Sequence, residues 1–374
     1  MKKLWLYFPE NDLALAAGTA VYTPPPAAYS LHRAGEMLPL WMASPGDRIV
    51  CGGVNERWLE ETCARFGIRN VDVYDHRAGD LIPAPWGWSE ASRRAFEDAG
   101  FPADRLPDAA YLEHLRQLSH RRTAAEVAAR LQRKLSFPIT PPACEAEGLG
   151  RVEAFLDATG NVIAKSPWSS TGRGLVRSRH MPRAAFLQQT AGIIRRQGSV
   201  MLEREYDRVL DFAMLFEADG KGCVSFCGLS LFTTTGRGAY SGNLVAPAQT
   251  VRERIAARTG ADRLDAVQKA LTEVLPAVLG SYAGPLGVDM LLTSDGTLDA
   301  CVEVNLRYTM GFVALSLEKY LAGSAEGRLE VLPHPEERAA GVKQDADGRI
   351  CAGSLDLTPP GGDFAFRLSV VSEQ

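Results

Sequence analysis

Residues 301–307 read Cys-Val-Glu-Val-Asn-Leu-Arg, and residues 287–292 before them read Gly-Val-Asp-Met-Leu-Leu. Both stretches are largely apolar, and the Ser-Asp-Gly turn between them predicts a pair of strands joined as a hairpin. Side chains alternate between the two faces of a strand, so Glu303, Asn305 and Arg307 are expected on one face. Burying three polar groups without partners is costly, so this face needs a ligand or solvent.

Asp289, Glu303 and Asn305 have the chemistry of a magnesium site. Mg²⁺ is usually held by one or two carboxylates together with phosphate oxygens and water. We therefore predict Asp289 and Glu303 as carboxylate ligands and Asn305 as a neutral oxygen ligand, with Mn²⁺ as an alternative ion. Arg307 would balance the charge and reach a phosphate. The competing interpretation is the solvated polar face of an ordinary antiparallel hairpin.

A second polar segment follows a β-branched strand predicted at 161–164. Residues 165–174 read Lys-Ser-Pro-Trp-Ser-Ser-Thr-Gly-Arg-Gly. Small residues let backbone N–H groups approach phosphate oxygens, hydroxyl groups add donors, and a lysine supplies a point charge. The segment predicts a phosphate-binding loop, in competition with an ordinary polar hairpin. The residues assigned to nucleotide binding here are Lys165, Ser169, Ser170, Thr171 and Gly172.

Together the two segments resemble the ATP-grasp superfamily, over about residues 119–320. The loop is similar in length and in its Gly-Arg-Gly end to that of the biotin-carboxylase type. Residues 303–307 look like the Glu-x-Asn-x-Arg signature of biotin carboxylase and carbamoyl-phosphate synthetase. The serines and threonine at 169–171 stand where relatives have glycines, and Pro-Trp at 167–168 stiffens the loop. No Met-Lys-Met biotin-attachment motif is present.

The resemblance also implies further nucleotide contacts. Residues 200–206 look like the strand on which such enzymes hold adenine, and a basic helix start at 119–123 looks like their nucleotide-binding Lys or Arg. An exposed strand face and a solvated helix start are the respective alternatives. The implied contacts are Glu203, Arg204, Tyr206, the ribose-side Asp211, and one of Arg121 and Arg122, between which the sequence does not decide.

The implied fold class is α/β, with a Rossmann-like N-terminal domain followed by an ATP-grasp fold of two α+β lobes. Short strands alternating with helices in the first third predict a parallel sheet with right-handed crossovers. The predicted divisions are a Rossmann-like domain at 1–118, a lid lobe with the phosphate loop at 119–205, a lobe with the metal site at 206–330, and a loosely packed tail at 331–374 with one strand near 364–371.

Two segments are candidates for the substrate end of the site. Residues 10–12, Glu-Asn-Asp, follow the first strand, and ligands of doubly wound sheets bind beyond the carboxyl ends of the strands. Asp12 is also suited to cap the helix that follows. The glycine-punctuated loop predicted at 233–243 is the second candidate, with Arg237 chosen for an acidic substrate group; a flexible surface loop is the alternative.

Composition limits the class of protein. The 41 basic and 45 acidic residues of the 374 give a net charge of −4, without the basic excess typical of nucleic-acid binders. No stretch approaches the about 18 apolar residues of a membrane span. Seven scattered cysteines, without a Cys-x-x-Cys pair, are typical of reduced thiols. We therefore expect a cytoplasmic protein without nucleic-acid or membrane partners.

The expected function is an ATP- and Mg²⁺-dependent ligase that activates a carboxylate as an acylphosphate for attack by an amine. Lys165, Arg307 and Arg237 are the predicted catalytic residues. The substrates would be small molecules, with amino acids and short peptides as candidates, and a homodimer is left open. A small-molecule kinase and a non-catalytic nucleotide-binding protein are the alternatives.

Overall fold

The computed structural model describes residues 1–169, 174–236, 239–335 and 337–371. No helix among them is both long and apolar enough to cross a membrane. The helices are α1 (Asn11–Ala17), α2 (Pro26–Gly35), α3 (Glu56–Phe66), α4 (Glu90–Asp98), α5 (Ala109–Leu118), α6 (Arg122–Lys134), α7 (Leu149–Thr159), α8 (Arg183–Gln197), α9 (Ala248–Thr259), α10 (Ala261–Leu279) and α11 (Met310–Leu317). The strands are β1 (Lys3–Leu6), β2 (Arg48–Val50), β3 (Asp72–Val73), β4 (Ile82–Pro85), β5 (Cys144–Ala146), β6 (Val162–Lys165), β7 (Leu175–Arg177), β8 (Val200–Arg204), β9 (Arg208–Asp219), β10 (Val224–Thr234), β11 (Tyr240–Val245), β12 (Ala283–Thr293), β13 (Leu298–Asn305), β14 (Glu326–Pro333), β15 (Gly341–Gln344), β16 (Ile350–Asp356) and β17 (Phe364–Val371).

The first sheet is parallel, as the alternation of short strands and helices predicts. Its strand order is β3-β2-β1-β4, and β1 pairs in parallel with both β2 and β4. The strand β4 was not predicted, because two prolines in Ile82–Pro85 disguise it. Parallel strands all end at the same edge, so the residues that follow β1 and β2 lie at one side of the sheet.

The second sheet is antiparallel and carries the start of the phosphate loop. Its strand order is β5-β8-β6-β7, and α7 and α8 pack against it. Apolar residues at alternate positions of β6 and β8, such as Val162, Ala164, Val200 and Leu202, are fully buried in its core. Lys165 is the last residue of β6, and its charge acts on Asp299 of β13 in the third sheet.

Among the described residues the third sheet has nine strands, and the middle of its strand β9 is buried on both faces. Its order is β13-β12-β9-β10-β11-β14-β17-β16-β15. In β9, Phe212, Met214 and Phe216 belong to the core that contains α6, α9 and α10, while Ala213 and Leu215 belong to the core shared with α11 and the first sheet. Successive side chains of β9 enter opposite faces of the sheet, and both faces are buried there, so the sequence of β9 is a continuous apolar run. The strands β12 and β13, which carry the predicted metal ligands, lie at one edge of this sheet.

The prediction of a loosely packed tail from residue 331 is wrong for residues 350–371. The strands β16 and β17 extend the third sheet, and Ile350, Leu357, Phe366 and Leu368 are fully buried. The strand predicted near 364–371 is confirmed as β17. Glycine, proline and aspartate in the intervening turns masked the alternation of short strands. The domain boundaries stay a prediction.

Candidate active site

The strands β12 and β13 bring two predicted metal ligands side by side. Asp289 and Glu303 are directly opposed in the antiparallel pair, and Asn305 lies opposite Gly287 on the same face. Asn305 donates from Nδ2 to Asp289 Oδ2 at 3.1 Å. Burial, and after it the charge of Glu303, raise the pKa of Asp289 to about 7. The two carboxylates are therefore crowded into a position where a cation would be stabilised.

Arg121 joins this strand to the phosphate loop. Its guanidinium lies 3.0 Å from Glu303 Oε1, donates to the carbonyl of Ser166 at 3.1 Å, and donates to Ser169 Oγ at 3.2 Å. Arg122 points elsewhere, since it contacts Glu145 at 3.0 Å and is 53% exposed. Of the two arginines between which the sequence does not decide, only Arg121 lies in the cleft.

Arg307, two residues beyond the end of β13, connects this strand to the N-terminal part of the chain. It donates from Nε and Nη2 to both carboxylate oxygens of Asp12 at 2.8 to 3.1 Å, and from Nη2 to Asn305 Oδ1 at 2.7 Å. The capping interpretation of Asp12 is wrong, because α1 begins at Asn11 without a side-chain cap hydrogen bond. Gly87 allows Asn11 and Arg307 to lie close to its backbone, because a Cβ at position 87 would lie 2.5 Å from the Asn11 side chain and 2.9 Å from Arg307 Cβ.

Lys165 meets two acidic residues where the second and third sheets face each other. Its Nζ lies 2.5 Å from Glu203 Oε2, and both side chains are largely buried. Burial, and after it the charge of Glu203, raise the pKa of Asp299 to about 6, while Lys165 opposes the shift. Asp299 was missed by the sequence analysis. The sequence could have indicated it, because Asp299 precedes Glu303 by four residues, and side chains an even number of residues apart in a strand lie on the same face.

The other residues assigned to the adenine strand lie near the end of β8. Arg204 packs over the Tyr206 ring at 5.7 Å, within the range of a cation–π contact. Asp211 is on β9, where it accepts from Thr234 Oγ1 at 2.8 Å and lies 3.4 Å from Arg208. The described contacts of Asp211 are therefore with its own sheet and not with Lys165 or Glu203.

Some predicted residues lie outside the part of the chain that the structure describes. They are Ser170, Thr171, Gly172 and Arg237. The long loop predicted at 233–243 is largely strand, because β10 ends at Thr234 and β11 begins at Tyr240. Thr235 N donates to the carbonyl of Ala239 at 2.7 Å, as in a hairpin connection.

The segment after β1, predicted to lie at the substrate end, contains buried polar atoms. Glu10 is 3% exposed, and its Oε1 lies 2.8 Å from Nδ1 of His32 on α2. Glu10 Oε2 and Asn11 Oδ1 are buried without a hydrogen-bond partner. Buried acceptors of this kind are costly, so a donor on a ligand or a water is expected beside them.

Lys165, Arg121 and Arg307, the described cations assigned to the cleft, are each paired with an acid. The cavity at the centre, lined by Asp12, Ser169, Glu303 and Asn305 among others, measures about 10 Å³, room for a single water. A larger cavity of about 400 Å³ lies between α2 and residues 359–363, away from these charges. We assign the chemistry to the small one, because the charged residues converge there. The pairs are Lys165–Glu203, Arg121–Glu303 and Arg307–Asp12.

The donor set of the cleft fits magnesium. Within the described ranges, no three His, Cys, Asp or Glu side chains form a group able to hold a metal by themselves. Mg²⁺ needs fewer protein ligands than that, since it takes one or two carboxylates and completes its shell with phosphate oxygens and water. The opposed Asp289 and Glu303 carboxylates supply that minimum.

Comparison with known proteins identifies the fold. No family model matches the sequence, and no curated protein matches it. All of this chain aligns with biotin carboxylase of Campylobacter jejuni in a β-γ-ATP complex, with a TM-score of 0.54, 12% sequence identity and 88% of that chain covered. All of it also aligns with the biotin carboxylase domain dimer of Hydrogenobacter thermophilus 2-oxoglutarate carboxylase with MgADP, ADP and bicarbonate, with a TM-score of 0.53, 11% identity and 86% of that chain covered. For N5-carboxyaminoimidazole synthetase of Staphylococcus aureus with ADP, again over all of this chain, the TM-score is 0.50, the identity 11% and the coverage of that chain 95%.

The chain therefore has the ATP-grasp fold, and the resemblance based on residues 303–307 and the predicted phosphate loop is confirmed for the fold. These enzymes are ATP-grasp ligases. At such low identity the match describes the fold and not the reaction of this chain.

Proposed function

We propose that this protein is an ATP- and Mg²⁺-dependent ligase that activates a small-molecule carboxylate as an acylphosphate, which an amine then attacks. The observation that carries the proposal is the opposed pair Asp289 and Glu303, with Arg121 3.0 Å from Glu303 and Lys165 acting on Asp299 of the same strand as Glu303. Two crowded carboxylates beside phosphate-binding cations suit a metal–nucleotide complex and little else. The neighbours solved with ADP, MgADP or a β-γ-ATP complex support the same ligand class.

Magnesium, held by Asp289 and Glu303 with Asn305 beside them, would neutralise charge on the phosphates; Mn²⁺ is a possible substitute. Lys165 and Arg121 would exchange their present acidic partners for phosphate oxygens, at little cost in charge. Arg307 keeps Asp12 and Asn305 in place and adds positive potential. Catalysis of this type is mostly positioning and electrostatic stabilisation.

The reaction proceeds in two displacements. A substrate carboxylate oxygen attacks the γ-phosphorus of ATP, the bond to the β–γ bridging oxygen breaks, and ADP leaves. A neutral amine then attacks the acyl carbon, inorganic phosphate leaves, and the amine proton passes to solvent. The cavity at the centre has room for a single water, so bulk water would be kept out, which matters because an acylphosphate hydrolyses readily.

The substrates are assigned to the end of the cleft near residues 10–12. The unpartnered oxygens of Glu10 and Asn11 suit a donor such as an amine, and Arg237 remains our proposed partner for an acidic group. The N-terminal parallel sheet would then be the Rossmann-like domain that carries this end of the site. We also propose a cytoplasmic location and leave a homodimer as a prediction.

A screen of substrates tests the reaction. Phosphate release from Mg·ATP is measured with amino acids and short peptides, singly and in pairs. A ligase requires an acid and an amine together and yields ADP, phosphate and the amide in equal amounts. A stable phosphorylated product formed from one substrate would show a kinase instead. Nucleotide binding without turnover under any pair would contradict the catalytic proposal.

A further inference from the structure

The phosphate loop is held at Trp168 by contacts from two helices. The backbone N–H of Trp168 donates to Gln197 Oε1 at 3.0 Å, and Gln197 Nε2 donates back to the Trp168 carbonyl at 3.1 Å. Gln197 is the last residue of α8, which packs on the second sheet. This reciprocal pair fixes the backbone of the loop to the lobe that carries it.

The indole ring of Trp168 is held from the opposite side by α5. Its Nε1 donates to the Arg116 carbonyl at 2.8 Å, and the Arg116 guanidinium lies 4.3 Å from the ring centre. His120 meets the same ring edge-on, with centroids 4.6 Å apart. The ring is 8% exposed, so the cation–π contact is largely desolvated and correspondingly strong.

Arg116 also reaches the helix that carries Asp12. Its Nε donates to the carbonyl of Leu15 at 2.8 Å, in the last turn of α1, where a cation is favoured by the helix dipole. Gly18 ends α1 with φ 62°, and a Cβ there would lie 3.1 Å from Arg116 Nε. One guanidinium therefore contacts both the phosphate loop and α1.

The two segments that Arg116 joins line the same cavity. Asp12 lies one helical turn before Leu15, and Ser169 follows Trp168 directly; both line the small central cavity. We propose that Arg116 and Trp168 form a clamp that sets the position of the phosphate loop relative to α1, and so the distance from nucleotide phosphate to substrate. Both are positioning residues, and the inference rests on the proposed function.

Hydrogen exchange of the nucleotide-free protein tests the clamp without reference to the reaction. Arg116→Met keeps an unbranched stem against the ring but removes the donor to Leu15. We expect amide exchange to become about tenfold faster in both 165–169 and 11–18, since the lost contacts hold both segments. Faster exchange in only one segment, or in neither, would overturn the clamp.

Arg105→Met is the matched control. Arg105 stacks over Phe101 at 5.0 Å and donates to the carbonyls of Gly79 and Leu81, so it loses the same kinds of contact away from the cleft. It should leave exchange in 165–169 and 11–18 unchanged. Equal acceleration by the control would show a general loss of stability and overturn the inference.

Mg·ADP affinity, measured by calorimetry, tests the positioning role. Arg116→Met should bind Mg·ADP about tenfold more weakly than the wild type, while Arg105→Met binds normally. Trp168→Phe, which keeps a ring but loses the Nε1 donor, should have an Mg·ADP affinity between those of the wild type and Arg116→Met. Unchanged affinity in Arg116→Met would overturn the positioning role even if exchange rises. If the wild type binds no Mg·ADP, the proposed function fails, and the exchange result alone decides the clamp.

Discussion

The contact between Asp12 and Arg307 can be measured as a coupling free energy. It joins residues 295 positions apart, and it ties α1 to the end of β13. The double-mutant cycle uses Asp12→Asn, Arg307→Met and the double variant. The cycle isolates the pair because each single change removes the ion pair while keeping side-chain size.

The expected magnitude follows from burial. Both side chains are 16% exposed, and the shortest N–O distance is 2.8 Å. Breaking a fully buried pair costs about 3–5 kcal/mol, and an exposed pair contributes about 0–1 kcal/mol. Partial exposure and the carbonyl oxygen that Asn retains reduce the first figure, so we expect a coupling of about 2–3 kcal/mol.

The assay is urea unfolding of the four proteins at pH 7. Arg328 and Glu330 provide the control cycle, since they are also 2.8 Å apart but are 49% and 29% exposed. Their coupling should not exceed about 1 kcal/mol. A coupling for Asp12 and Arg307 that is no larger than that of the control pair would refute the buried, bidentate contact.

Three further predictions follow from the packing and charge of the described residues. Burial, and after it the Arg122 charge, lower the pKa of His120 from 6.5 to about 4, so as pH falls the unfolded chain takes up the proton first and stability is lost between pH 6.5 and 4. The loss should reach about 2 kcal/mol at pH 5 in urea unfolding, and a His120→Gln variant with the same pH dependence would contradict it. Lys165→Met should weaken Mg·ADP binding by about tenfold or more in calorimetry, whereas Arg122→Met, outside the cleft, should leave it unchanged; equal effects would argue against the assignment. Phe366→Ala should cost about 3–5 kcal/mol of unfolding free energy, and a cost below about 1 kcal/mol would restore the idea of a loose tail.

The local part of the site could be predicted from sequence. Glu303, Asn305 and Arg307 share a face because a strand has a period of two, and that rule needs no tertiary structure. The same rule, applied to the residue two positions before Cys301, places Asp299 on this face as well.

The long-range part could not be predicted. Nothing local indicates that Arg307 binds Asp12, because only the docking of the first sheet against the third brings them together. Arg121 and Arg122 could not be separated, since they are the residue before α6 and its first residue, and the directions of their side chains are set by how the start of this helix packs. The strand β16 was hidden for a related reason: it is stabilised by its place in a sheet, not by its own pattern.

The central claim is that Asp289 and Glu303 hold magnesium for a nucleotide. Calorimetry of ADP binding with Mg²⁺ and with EDTA, for the wild type, Glu303→Gln and Glu330→Gln, tests it most directly. We predict magnesium-dependent binding in the wild type and in the Glu330 control, which changes a glutamate elsewhere in the same sheet, and a loss of the magnesium dependence in Glu303→Gln. A wild-type affinity for ADP that is the same with Mg²⁺ and with EDTA would contradict the account. So would a Glu303→Gln variant whose ADP binding depends on magnesium as that of Glu330→Gln does.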